Sequence, residues 1–360
     1  MTSARSLEPP DSHNITDLPG LPDLPPGWTA YTPAETDVED LTRLLRRHER
    51  EARGFPGADS ENVASEVTGR GARTRTHMLV RDDVGAARAW INCHDRAAGR
   101  VLVGVTIDPD LSEHADTVAL YSFQLAEAFS RQINASRDIG DSHMDSGAFE
   151  EDERQQRWLR ESGFDLVRHW WQMSRPVDPD EARSLPPPRG GVIVRRVRRD
   201  DQAGMPVEQD LRDVHDVLEA SFADHFNSYR ETFEEFVARL REDPGHRWDH
   251  WWIATVDGEA AGALVATITT GHLDEHGDPE PDGSYVDYIG VSQNARGRGV
   301  AKALLHAVIA DAAARGRDRV GLEVDADSPT GADGLYTSMG WSTKYVTQSW
   351  HKDLPGTDLA

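Results

Sequence analysis

The stretch Tyr285-Val-Asp-Tyr-Ile-Gly-Val-Ser-Gln-Asn-Ala-Arg-Gly-Arg-Gly-Val-Ala-Lys302, followed by Ala303–Arg315, decides the fold. Tyr285, Val286, Tyr288, Ile289 and Val291 are strand formers, Gln293–Gly297 is a polar turn, and Val300, Ala301, Leu304, Leu305, Val308 and Ala312 return at helical spacing. The order is strand, turn, helix. Gly297 and Gly299 remove side chains where the chain enters the helix, which leaves backbone N–H groups at the positive helix end open to an anion. Arg296 and Arg298 add two cations. A phosphate or pyrophosphate is the expected guest.

Two common phosphate turns do not fit. The Walker loop needs Gly-Lys-Ser/Thr, and Lys302-Ala303 stands in the wrong place for it. A Rossmann turn needs a small residue three positions after its second glycine, where this chain has Lys302. Arg296-x-x-Gly299-x-Ala301 instead resembles the Arg/Gln-x-x-Gly-x-Gly/Ala signature of the GNAT superfamily of acyl-CoA-dependent N-acetyltransferases. The resemblance continues through Leu322-Glu-Val to Ala332-x-x-Leu-Tyr336-x-x-x-Gly340-Trp341, with Trp where the family usually has Phe.

That resemblance implies a fold and a set of roles. The fold class is α/β (α+β), with a mixed, mostly antiparallel sheet flanked by helices. The co-substrate is acetyl-CoA. Its pyrophosphate would lie on Arg296, Gly297, Arg298, Gly299, Val300 and Ala301, with Thr330 and Ala332 nearby. In the family, the strand before the turn splays at a bulge and pairs with the pantetheine arm. That assigns Ile289, Gly290 and Val291 to the cofactor, with a backbone N–H near Val291 polarising the thioester carbonyl. Tyr336 lies where the family often places its general acid, near the sulfur. Asp287 and Glu323 are the two candidates for the base. Strand parity puts Tyr285, Asp287 and Ile289 on one face.

The chain has 360 residues, which makes two domains the expectation. A formal net charge of −24 speaks against a nucleic-acid partner and favours cationic small molecules. Cys93 is alone, so no intrachain disulfide forms. No stretch approaches a membrane span or an apolar signal core, and a cytoplasmic protein without a membrane partner is expected.

The sequence divides into a Pro-rich arm at 1–27, a domain at 28–175, a linker at 176–191, a second domain at 192–353 and a tail at 354–360. In the first domain we expect strands at Trp28–Tyr31, His77–Val80, Ala87–Cys93, Val101–Ile107 and Phe164–Met173, with helices after Thr36-x-x-Glu39, over Thr117–Ile133 and over Gln155–Glu161. The second domain repeats this order, which suggests two tandem GNAT-like domains. In the first, the phosphate turn is replaced by Asp108-Pro-Asp-Leu-Ser-Glu-His-Ala-Asp116, which has no glycine and four carboxylates. That domain is expected not to hold CoA. The tandem layout resembles that of the mycothiol synthases, although Tyr285 replaces a strand glutamate and Asp327-Ser-Pro-Thr-Gly331 replaces an Asp-Asn pair.

The acceptor expected is a primary amine on a small polar or cationic molecule. A protein amine as acceptor and a non-catalytic acyl-CoA sensor are the alternatives. Asp224, His225 and Tyr285 are the candidates to bind the acceptor. His246-x-x-x-His250 has metal-like spacing but lacks an evident third ligand, and no metal is expected. The protein is expected to be a monomer or a homodimer.

Overall fold

In the computed structural model we describe residues 21–69, 71–96, 100–137, 139–200, 204–222, 232–242, 246–271, 281–327 and 332–356. The chain forms two compact units, one of residues 1–169 and 346–360, the other of residues 170–345.

Unit 1 runs β1 (Thr29–Tyr31), α1 (Val38–Arg53), α2 (Ser60–Val67), α3 (Gly71–Thr74), β2 (Arg75–Arg81), β3 (Ala87–Arg96), β4 (Arg100–Ile107), α4 (Ala115–Ser136), β5 (Ser142–Phe149), α5 (Glu153–Glu161) and the start of β6 (Asp165–Pro176). The first four expected strands form the antiparallel run β1-β2-β3-β4, and β5 joins β4 in parallel. α4 buries Val118, Phe123, Leu125 and Phe129 against Ile91, Val103 and Val105 on one face of this sheet. α1 and α2 cover the other face through Leu41, Leu44, Val63 and Val67 against Leu79 and Trp90. Leu21 and Leu24, from the stretch read as an arm, pack with Trp28 on the α4 core.

Two features of unit 1 depart from the sequence reading. The helix expected after Thr36-x-x-Glu39 is capped differently: the Asp37 carboxylate accepts from the Ala34 N–H at 3.0 Å. β5 was not expected as a strand. Its inward residues are Ser142, Met144, Ser146 and Ala148, too small and polar to read as a hydrophobic alternation.

Unit 2 begins with the rest of β6 and continues through α6 (Glu181–Ser184), β7 (Val192–Arg196), α7 (Glu208–Phe222), α8 (Phe233–Glu242), β8 (His246–Val256), β9 (Glu259–Thr269), β10 (Gly283–Val291), α9 (Val300–Ala314), β11 (Arg319–Asp325), α10 (Ala332–Ser338) and the start of β12 (Ser342–Leu354). Its strands lie in the order β6-β11-β10-β9-β8-β7. Only β10–β11 is a parallel pair there; the others are antiparallel. The β8–β9 hairpin turns at Asp257 (φ 53°) and Gly258 (φ 94°), and Thr232 and Glu235 form a capping box, with Thr232 N–H donating to Glu235 at 2.9 Å and Glu235 N–H to Thr232 at 3.2 Å.

Each unit is thus a mixed, mostly antiparallel sheet between helices. The second half of β12, which follows the last helix of unit 2 in the chain, pairs from Thr347 to Leu354 with Phe149 to Ser142 of β5. Residues 170–176 of β6, which follow unit 1 in the chain, pair with β11. Each sheet is completed by a strand from the other half of the sequence.

Candidate active site

α9 is packed by apolar residues: Leu304, Leu305 and Val308 are fully buried, each contributing about 1.5–3 kcal/mol. Its approach to the sheet depends on Gly262, where a Cβ would stand 2.5 Å from Val300 and 3.0 Å from Leu304. On the other face Gly290 does the same for α7, since a Cβ there would lie 2.9 Å from Ser221 and 3.1 Å from Leu218. Gly290 therefore has a packing reason to be glycine that its place ahead of the Gly297–Gly299 turn does not reveal. The helix starts from Gly299, with φ 86°, two residues after Gly297 at 77°. Both lie in the left-handed region that favours glycine, so the turn is wound as the sequence indicates.

Arg298 pairs with Asp257 at 2.8 Å. A third arginine stands over the turn. Arg189 donates to the Gly297 carbonyl at 3.4 Å, and a Cβ on Gly299 would meet its Cδ at 3.0 Å. Arg189 falls in the stretch 176–191 that the sequence marks as a linker. In the structure that stretch is packed: Val177 joins the α9 core, and Ala182 and Leu185 lie against it.

β10 contains a bulge. It pairs with β9 from Gly283 to Val291, and the register shifts between Val286 and Tyr288, so Asp287 is the extra residue. Its parallel ladder to β11 covers only Ser284, Tyr285 and Val286, opposite Val320, Gly321 and Leu322. After Val286 the two strands no longer register, while β10 continues along β9 to Val291.

The bulge changes which side chains share a face. Tyr285 and Asp287 stay on the side of Thr267, whose hydroxyl donates to Asp287 at 3.3 Å. Ile289 crosses to the other face and packs with Val291 on the α9 core. The expectation that Tyr285, Asp287 and Ile289 lie on one face is therefore corrected: the inserted residue reverses the parity after it.

Tyr285, Asp287 and Glu323 come together on one side. The Tyr285 hydroxyl donates to the Gln172 side-chain oxygen at 3.1 Å, and the Gln172 amide donates to Glu323 across the β6–β11 ladder. Burial raises the Tyr285 pKa, and the charges of Glu323, Tyr345 and Asp287 add to the rise, so the phenol stays protonated. Glu323 is open to solvent along part of its length. Desolvation of its carboxylate raises its pKa, the Gln172 bond opposes this, and Asp325 adds to the rise. Gln172 joins this cluster from a strand that precedes the second domain in chain order, which hides it from the sequence.

Tyr336 lies on the opposite face, in the core that holds Ile289, Val291 and Val300. It is buried to 8 % exposure, stands edge-on to Trp341 at 6.1 Å, and burial raises its pKa. Asp224, His225 and Thr330 lie outside the described residues, as does the side chain of Ala332. The side chain of His246 is likewise outside them, and His250 is buried with its Nδ1 2.6 Å from Asp249. Arg296 is exposed at the turn.

In unit 1 the segment equivalent to the glycine turn holds no residue with positive φ. Asp108, at its head, is buried and ion-paired to Arg47 at 3.0 Å and Arg88 at 2.7 Å. Asp116 is paired to Arg157 at 2.6 Å.

Comparison with known proteins agrees with this fold. Residues 212–341 match the acetyltransferase (GNAT) family. The crystal structure of a GCN5-related N-acetyltransferase from Sphaerobacter thermophilus superposes over 94% of this chain and 99% of its own, with a TM-score of 0.72 at 23% identity. A tandem GNAT protein from the clavulanic acid biosynthesis pathway matches 92% of this chain and 100% of its own, with a TM-score of 0.66 at 13% identity. The chain has the fold of a tandem GNAT protein, and the stretch that matches the GNAT family lies in its second half. Among named proteins it resembles mycothiol acetyltransferase of Thermobispora bispora, at 32% identity over 184 residues, or 50% of this chain. That match spans 56% of the relative, so the chain is alike to about half of the curated protein's length. Among the described residues no helix is long and apolar enough to cross a membrane.

Proposed function

We propose that unit 2 transfers an acetyl group from acetyl-CoA to a primary amine of a small polar or cationic molecule, in a ternary complex. The observation that carries this reading is the ladder of β10: it leaves β11 after Val286, keeps β9 to Val291, and leads directly into the Gly297–Gly299 turn. That arrangement suits a pantetheine arm laid along β10 and a pyrophosphate on the N-terminus of α9. Arg296, Arg298 and Arg189 would supply cations around it.

The acid and base then approach from opposite faces, through the opening between β10 and β11. Glu323 takes a proton from the acceptor ammonium; desolvation raises its pKa, which makes it a stronger base. Asp287, on the same side, supplies a second negative charge for a cationic acceptor. The amine nitrogen attacks the thioester carbonyl carbon, and a backbone N–H near Val291 stabilises the oxyanion. As the intermediate collapses, the C–S bond breaks, Tyr336 gives its phenolic proton to the leaving sulfur, and the excess proton still on the nitrogen passes to solvent, from which Tyr336 is reprotonated. The products are the amide and free CoA. Tyr285 holds Gln172, and through it Glu323, in place.

Incubation of the full chain with acetyl-CoA and a library of primary amines, with detection of the thiol released, tests the reading. Thiol release that depends on an amine, with an acetylated product by mass, is expected. Tight acetyl-CoA binding with no acetylated amine would instead favour a sensor.

A further inference from the structure

β5 and β12 bring together side chains more than 200 positions apart in the sequence. His143 and Asp145, two residues apart on β5, point to the same face, and the ladder sets Asp353 opposite His143 and His351 opposite Asp145. This is the face turned away from Met144 and Trp350, which belong to the α4 core. The two imidazole rings are 4.4 Å apart and tilted by 44°. One ligand atom from each of His143, Asp145 and His351 lies within 4.8 Å of the other two.

The hydrogen bonds around the cluster orient it. Arg100 Nε and Nη2 both donate to Asp145 Oδ2, at 2.8 and 2.6 Å. Asp145 Oδ1 faces His351 Nδ1 at 3.2 Å. The other nitrogen of that ring, Nε2, is 3.0 Å from Asp353 Oδ1. A neutral imidazole has one N–H. If His351 donates it to Asp353, the Nδ1 lone pair points at a carboxylate oxygen, and two acceptors face each other. A cation between them removes that conflict. A carboxylate that accepts from the far nitrogen of a ring is also what orients a metal-ligating histidine.

We propose that His143, Asp145 and His351 bind one divalent transition-metal ion of the zinc, cobalt or nickel class. Two imidazoles and one carboxylate oxygen are ligands that suit these ions. Bonds of about 2.0–2.2 Å to a tetrahedral ion need the ligand atoms to close by roughly an ångström, within the reach of partly exposed side chains. Asp353 fixes the His351 tautomer, Arg100 holds Asp145 so that Oδ1 is presented, and a water completes the coordination. The ion would pin the C-terminal strand to β5, closing unit 1 between residues distant in sequence. These histidines are separate from His246 and His250, the pair whose spacing first suggested a metal, and they stand in the unit without the glycine turn.

Titration of the full chain with Co²⁺ near neutral pH tests the site. We expect one equivalent bound, with the intense visible d–d bands of a four-coordinate ion, displaced by Zn²⁺. The bands should be lost in His143→Asn and in His351→Gln, and Asp353→Asn should weaken binding by about 10–100-fold, as removal of such a supporting carboxylate does. As a readout independent of variants, Zn²⁺ should shift the imidazole resonances of His143 and His351 in the wild-type protein. No d–d bands at millimolar Co²⁺, bands retained in both histidine variants, or two imidazoles that respond to pH but not to Zn²⁺ would overturn the proposal; the last would mean that a proton alone fills the position.

Discussion

Gln172 donates its side-chain amide to Glu323 directly across the β6–β11 ladder. The bond lowers a carboxyl pKa that desolvation has raised. Gln172→Met removes it while keeping the chain length. The Glu323 pKa then rises further, and the acidic limb of the kcat/KM profile moves to higher pH, because more acid must be titrated before the base is free. A limb that stays in place would remove Glu323 from the role of base.

Tyr336→Phe keeps the ring edge-on to Trp341 and removes only the hydroxyl. If the phenol protonates the leaving sulfur, turnover falls by roughly 10²–10⁴, the usual range for a positioned acid. The loss falls in kcat, since the interaction forms only as charge develops on sulfur. Acetyl-CoA affinity should be unchanged. Steady-state kinetics on an acetylated amine checks this; wild-type turnover would make Tyr336 a packing residue.

Much of unit 2 was legible because its signals are local. The glycine turn and the helix spacing after it each use residues within a few positions of one another. The bulge at Asp287 was not legible, since Tyr285–Val291 reads as an unbroken strand and only its pairing with β9 exposes the extra residue. Nor does β12 carry any mark of the sheet it completes. Its second half pairs with a strand whose inward residues are serine, alanine and one methionine, so neither partner announced the other. Gln172 and Arg189 were hidden for a related reason. They reach the site from segments that chain order puts before the second domain.

Arg189 bears on the turn without being part of the signature. Arg189→Ala should weaken acetyl-CoA binding by about tenfold, the effect of losing one charge-assisted hydrogen bond of about 1.5 kcal/mol, and should make binding less sensitive to salt. The kcat at saturating acetyl-CoA should stay the same, because the side chain lies at the phosphate end. Calorimetry at two salt concentrations, together with kinetics, separates these outcomes. An unchanged Kd would leave Arg189 as a brace for the turn alone.

One acetyl-CoA should bind per chain, on β10 and the N-terminus of α9. Calorimetric titration of acetyl-CoA into the wild type and into Gly299→Asp tests it most directly. We predict a stoichiometry of one for the wild type, since the first unit has neither the glycines nor positive φ in the equivalent segment. In a Gly299→Asp protein that keeps its circular dichroism spectrum, a carboxylate in the pyrophosphate turn should abolish binding. Two molecules bound per chain, or wild-type affinity in the folded variant, would contradict the account.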